Sequence, residues 1–222
     1  MPPAPHKRRT GGNQRVVVMI EADYDDYTKP AFKYRKKHVY KHLRNRGFKI
    51  KLLRGTKARR RSASEAAKKA NVAFLTGSGH GYANSFTGYE TAYIFEVGNY
   101  QRAESNPKIA HFLSCYTALQ LGPDFVRNGC RAYFGYTEAW AWPEHDADAF
   151  FRCDSRIDLA LADGEPAGRA LELARKEFDR TIRELNQQKG DSYSAGMLED
   201  LRDHLCGPSK NAGQYGDPAA RL

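Results

Sequence analysis

Apolar residues fall along this chain in two rhythms. Val16-Val17-Val18-Met19-Ile20, Val72-Ala73-Phe74-Leu75-Thr76, Ile109-Ala110-His111-Phe112-Leu113-Ser114 and Arg131-Ala132-Tyr133-Phe134-Gly135-Tyr136-Thr137 are short, nearly unbroken runs. Such runs predict strands buried on both faces of a parallel sheet. Phe48-Lys49-Ile50-Lys51-Leu52 instead alternates apolar and charged residues, which predicts a sheet edge. Between the strands the period lengthens. Phe32, Val39 and Leu43 share one face of a helix running from Pro30 to Arg46, with Gly47 as its stop. Ser62-Ala63-Ser64-Glu65 has the form of a capping box opening a short helix to Ala70. Further helices are predicted over Leu119–Arg127, Asp146–Leu161 and Tyr193–Leu205. Pro166 opens a long one through Ala167, Leu171, Ala174, Phe178, Ile182 and Leu185. Alternating strands and helices imply an α/β domain with a mostly parallel sheet covered on both faces. The mixed aromatic stretch from Tyr82 to Pro107 is expected to cross one face of that sheet as a long connection.

At 222 residues and 41% hydrophobic, the chain suits one domain better than two. We place that domain at residues 15–206, with a disordered basic tail over 1–14 and a flexible tail over 207–222. No signal peptide or membrane-crossing run is visible, so a soluble cytoplasmic protein without membrane contact is expected. Cys115, Cys130, Cys153 and Cys206 lack paired spacing, which argues against a disulfide framework and a four-thiolate zinc site. The net charge of +10 concentrates in Lys33–Arg46 and Lys57–Arg61. These segments read as solvated surface, and nucleic acid is not the expected partner.

The chemistry sits where two strands end. Val72–Thr76 runs into Gly77-Ser78-Gly79-His80-Gly81, and Ile109–Ser114 runs into Cys115. Parallel neighbours would deliver His80 and Cys115 side by side at their carboxyl ends, where open α/β sheets bind ligands. A cysteine nucleophile needs a proton-handling partner, a task that histidine performs near neutral pH. Backbone N–H groups of Gly81 and Cys115 are the candidate donors to a tetrahedral oxygen. Taken singly, a glycine-flanked histidine is also a turn residue and a strand-end cysteine also a small core residue; their pairing carries the inference. Other motifs fail. Tyr82 occupies the third glycine position of a dinucleotide fingerprint, no GxSxG elbow exists, and the first arginine after Cys115 is Arg127, too distant for a phosphatase loop.

A strand ending in His-Gly, then one ending in Ser-Cys, then Gly129-Cys130-Arg131-Ala132-Tyr133-Phe134-Gly135, resembles the caspase-like (clan CD) cysteine peptidases. The resemblance covers Val16 to Thr137. Leu113-Ser114-Cys115-Tyr116-Thr117 replaces the caspase Gln-Ala-Cys-x-Gly signature, so the gingipain and CHAT-type bacterial branch looks nearer than the true caspases. The resemblance implies a caspase-like three-layer α/β/α sandwich with a mostly parallel central sheet. It implies His80 and Cys115 as the catalytic dyad, with Gly81 and Cys115 as the oxyanion amides. It further implies a protein substrate, and a partner protein activated in bacterial defence or cell death. The ends of the first strand and of the cysteine strand, with the loop after the next strand, would wall the pocket for the residue before the cut. Glu21, Asp23, Asp25 and Asp26, with Glu138 and Asp124 as further contributors, then predict an acidic pocket for Arg or Lys. Trp140 and Trp142 would line neighbouring subsites. No cofactor is expected; calcium on Asp23, Asp25 and Asp26, a feature of the metacaspase branch of the resemblance, is the minor alternative, and a solvated turn is the bland reading of the same loop. Two other classes stand beside the peptidase: a catalytically silent caspase-like interaction module, and a basic nucleic-acid-associated α/β domain.

Overall fold

The computed structural model describes residues 14–222. Strands β1 (Val16–Glu21), β2 (Lys49–Arg54), β3 (Val72–Ser78), β7 (Ile109–Leu113), β8 (Ala132–Tyr136) and β9 (Leu205–Cys206) form one sheet in the order β2-β1-β3-β7-β8-β9. All neighbours are parallel except β9, which runs antiparallel to β8. The alternating segment is indeed the edge strand β2.

Side-chain alternation along β1 divides the core in two. Val17 and Met19 join a cluster beneath α1 (Thr28–Asn45), α5 (Ala147–Ala162), α6 (Ala167–Glu184) and α7 (Ser192–His204). Val16, Val18 and Ile20 join the opposite cluster, under α2 (Arg60–Ala67) and α4 (Leu121–Arg127). The result is a three-layer α/β/α sandwich. No helix among the described residues is long and apolar enough to cross a membrane.

Three expectations are corrected. Helix α2 starts at Arg60, so Ser62 lies inside it and caps nothing. Arg60 is anchored there by a bidentate pair of bonds to Glu104, 2.6 and 2.8 Å long. The stretch after His80 does cover one face of the sheet, but as an antiparallel sheet of β4 (Gly81–Tyr82), β5 (Ser85–Thr87) and β6 (Tyr93–Glu96), followed by α3 (Arg102–Ser105). Its Phe86 stacks on Phe112 of β7 at 4.3 Å between ring centroids. The tail after Cys206 is not loose. Helix N-termini leave N–H groups without intrahelical partners, and the tail supplies acceptors: Ala167 N–H donates to Ala220 and Gly168 N–H to Pro218. Tyr215 and Ala220 are buried as a consequence. The basic N-terminal tail, apart from Gln14, lies outside the described residues.

One feature of the core is polar. Arg35 of α1 is fully buried; its Nε meets Glu21 at 3.0 Å, one terminal nitrogen meets Asp158 at 2.7 Å, and the other donates to Thr76 at 2.8 Å. His111 of β7 lies between Asp154 (3.1 Å) and Asp158 (3.2 Å), also fully buried. Burial alone would lower the His111 pKa, but the two carboxylates outweigh it and raise it to about 9.

This shift fixes a pH dependence. An unfolded histidine titrates near 6.5, so the stability from protonated His111 is complete below that value and lost as pH rises through about 9. Urea unfolding should therefore show stability falling from about pH 6.5 to about 9, with a shallower fall for His111→Gln. Parallel curves for the two proteins would contradict the assignment.

Candidate active site

Strands β3 and β7 are adjacent, with Thr76 opposite His111 and Ser78 opposite Leu113, so both chains leave the sheet at the same level. Gly79 N–H donates to the Leu113 carbonyl at 3.2 Å, tying the histidine turn to the cysteine strand. The His80 carbonyl is held from β5 by Thr87 N–H at 2.9 Å and the Thr87 hydroxyl at 3.0 Å. Gly81 lies so close to the cysteine turn that a Cβ there would stand 2.3 Å from the Cys115 carbonyl oxygen. Only glycine permits that approach.

After β7 the chain turns sharply. Tyr116 has φ +60°, a left-handed conformation rare for a bulky residue, and its N–H is fixed to the Glu138 carbonyl at 3.1 Å. The turn presents Cys115 to a cleft of about 290 Å³ that His80 also lines, with Trp140, Trp142, Tyr27 and Ala31 among its walls. The predicted pair is therefore brought to one cleft. Trp140 N–H donates to Cys115 Sγ at 3.2 Å. Burial raises the thiol pKa, and this N–H works against the rise. The net effect is a raised pKa, which favours the protonated thiol.

The His80 ring is oriented by Asp25. The Asp25 Oδ2 lies 2.7 Å from His80 Nε2. Its Oδ1 accepts from Thr28 N–H at 2.7 Å, the Thr28 hydroxyl at 2.8 Å and Tyr27 N–H at 3.1 Å, so the same carboxylate anchors the first turn of α1. Burial would raise the Asp25 pKa, but the bonds from His80 and Thr28 prevail and hold it at about 2. A carboxylate only accepts hydrogen bonds, so Nε2 carries the ring proton and Nδ1 is left as the basic nitrogen. Tyr24 and Tyr27 pack edgewise against the imidazole, with centroids 6.1 and 6.4 Å away.

The other expected pocket carboxylates are elsewhere. Glu21 is completely buried: it pairs with Arg35 and accepts from Tyr40 and from Ser78 N–H and hydroxyl. Alternation along β1 puts it on the Val17–Met19 face, under α1. Asp23 pairs with Arg54 at 2.8 Å and accepts from Gly55 N–H. Asp26 is fully exposed beside Lys29. Asp124 binds Tyr100 and Arg127. Glu138 is not a wall of the cleft; its carbonyl fixes Tyr116. With Asp23 and Asp25 so engaged, the acidic loop does not converge on a calcium position. His145, Asp146 and Asp191 do bring metal-capable atoms within 4.8 Å of one another, and the His145–Asp191 ion pair at 3.0 Å accounts for that approach. The role of Asp25 had a faint signal in the sequence, an Asp three residues before a helical Thr; the contact to His80 had none.

No family model and no curated protein matches the sequence. Solved structures do. The crystal structure of the Arg-specific cysteine proteinase gingipain R (RGPB) aligns with a TM-score of 0.59 and 10% identity over 95% of this chain. The complex of the Porphyromonas gingivalis RgpB pro- and mature domains aligns with a TM-score of 0.57 and 12% identity, again over 95%. The chain spans about half of each, 47% and 48%. The fold is thus the caspase-like α/β/α sandwich expected from the order of elements, and these neighbours give no support for the CHAT-type branch.

The Asp25–His80 pairing predicts the ring's tautomer. Nitrogen-15 NMR should find Nε2 protonated and Nδ1 bare in neutral His80, and the Nε2 signal should move and broaden in Asp25→Asn. A protonated Nδ1 in the wild type would contradict the arrangement.

Proposed function

We propose that the chain is a cysteine peptidase acting on protein substrates, with Cys115 as nucleophile, His80 as acid and base, and Asp25 as the residue that positions His80. The observation carrying this is the cleft shared by a strand-end thiol and a carboxylate-oriented imidazole; the gingipain-like fold agrees with it.

In this reading, the substrate carbonyl settles over Cys115. His80 Nδ1 removes the thiol proton as Sγ attacks, and Asp25 stabilises the imidazolium that forms. The tetrahedral oxygen is received by the N–H groups of Cys115 and Gly81. The intermediate collapses, His80 gives its proton to the leaving amine, and a thioester remains. A water molecule, deprotonated by His80, then releases the acid and restores the thiol. The Trp140 backbone N–H, donating to Sγ, stabilises the negative charge that builds on sulfur at each stage where the thiolate departs.

A basic residue before the cut is the proposed preference. One structural neighbour is described as Arg specific. In this chain the support comes from aromatic walls, since Trp140, Trp142 and Tyr27 line the cleft and a guanidinium binds aromatic faces well once desolvated.

Peptidyl ketone probes ending in Arg, Leu or Asp, read by intact mass, test both parts. The Arg probe should label the wild type once and Cys115→Ala not at all, and His80→Ala should slow labelling by roughly 10²- to 10⁴-fold. Faster labelling by the Leu probe would discard the basic preference and keep the nucleophile. Labelling that persists in Cys115→Ala, or none with any probe, would sink the peptidase reading.

A further inference from the structure

The loop that bears Trp140 has two sides. One walls the cleft. On the other, Ala139 and Ala141 face a second groove of about 500 Å³, whose far wall is formed by Tyr193, Gly196, Met197 and Leu201 of α7. Ala141 lines both hollows, so a single exposed residue separates them.

The groove is apolar and open. Tyr193 is 69% exposed. A Cβ built on Gly196 would meet nothing within 4 Å. Leaving a tyrosine and a methionine beside two bare alanines exposes a contiguous apolar surface, which marks a contact site more often than idle surface. Asp200 contributes the one charge among the groove's walls.

The two walls are also fixed to each other. Asp191 caps α7 by accepting from Ser194 N–H at 2.9 Å, and its other oxygen pairs with His145, just beyond the Trp140 loop, at 3.0 Å. This pairing ties the start of α7 to the segment that follows the Trp140 loop, and a pre-formed groove costs less entropy to fill.

We infer that this groove is a second substrate subsite, receiving a large apolar side chain of the same polypeptide that lies across the cleft. The inference rests on the peptidase reading. Continuity through Ala141 selects the occupant: an extended chain advances about 3.3 Å per residue, so crossing one alanine takes only a few residues of the substrate already bound. Its apolar side chain would cover Tyr193 and Met197, and the Ala139–Ala141 methyls would form the near wall.

Filling the groove from the helix side tests this. Gly196→Phe adds a side chain into open space at a helical position, where leaving glycine favours folding. Two substrates are compared: casein, whose long flexible chain can reach the groove, and a dipeptidyl amide reporter carrying the residue the ketone probes prefer. Relative to wild type, Gly196→Phe should lower kcat/KM on casein at least about tenfold, with the loss mainly in KM because ground-state and transition-state binding suffer alike. The reporter and the rate of Cys115 labelling should be unchanged. Tyr193→Ala should move in the same direction by a smaller factor. Equal casein cleavage by wild type and Gly196→Phe would overturn the subsite, as would an equal loss on casein and reporter. A wild type that cuts neither substrate and takes no probe would instead be the failure of the peptidase reading itself.

Discussion

The structure depends on a buried arginine. Arg35 lies in an apolar interior with two carboxylates and a threonine around it, and every one of them belongs to a different element: Glu21 to β1, Asp158 to α5, Thr76 to β3. Apolar faces specify approximate distance but tolerate sliding; a guanidinium bound at three edges does not. Deleting one partner of such a pair leaves a charge stranded in the core, at a cost of about 3–5 kcal/mol. Burial raises the Glu21 pKa, and Arg35, Ser78 and Tyr40 act to lower it. Through Glu21 the network reaches Ser78, two residues before His80, and through His111 it reaches β7, the strand that ends at the cysteine turn. His80 and Cys115 thus follow strands that are locked in register from below.

Above that level, the site is built by sharing. One carboxylate, Asp25, both anchors α1 and orients His80. The Trp140 loop supplies the N–H that reaches the sulfur, one wall of the cleft and, on its reverse, the edge of a second groove. A disturbance in the first turn of α1 would therefore be felt at the imidazole, and one at the start of α7 would be felt beside the thiol. Rigid elements carry the parts that must be accurate, and short turns such as Cys115-Tyr116 carry the strain.

Much of this was legible in the sequence. The apolar runs located the four central parallel strands, β1, β3, β7 and β8, because strands covered on both faces need no alternation and show it by their continuity. The meeting of His80 and Cys115 in one cleft was legible because they follow two of those runs. Glu21 looks like the start of an acidic loop in the sequence, yet the alternation Val17, Met19, Glu21 points it under α1. A lone charge at the end of an apolar run gives no sign of Arg35, fourteen residues on. The sequence offers Asp25 as a pocket wall and not as a partner of His80, because a contact 55 residues apart depends on how the α1 turn folds back. The β4–β6 sheet escaped because its strands are only two to four residues long. The C-terminal segment escaped because its contribution is mostly backbone acceptors for α6, which side-chain patterns do not record.

The central claim is that Cys115 becomes acylated during turnover. The most direct measurement is to quench a reaction with an activated peptidyl ester in acid within milliseconds, digest the protein, and find the acyl group by mass. The expected result is the substrate's acyl mass on the peptide containing Cys115, in wild type and, at reduced rate of formation, in His80→Ala. Turnover with no acylated protein, or with the acyl group on Cys206 or another residue, would contradict it.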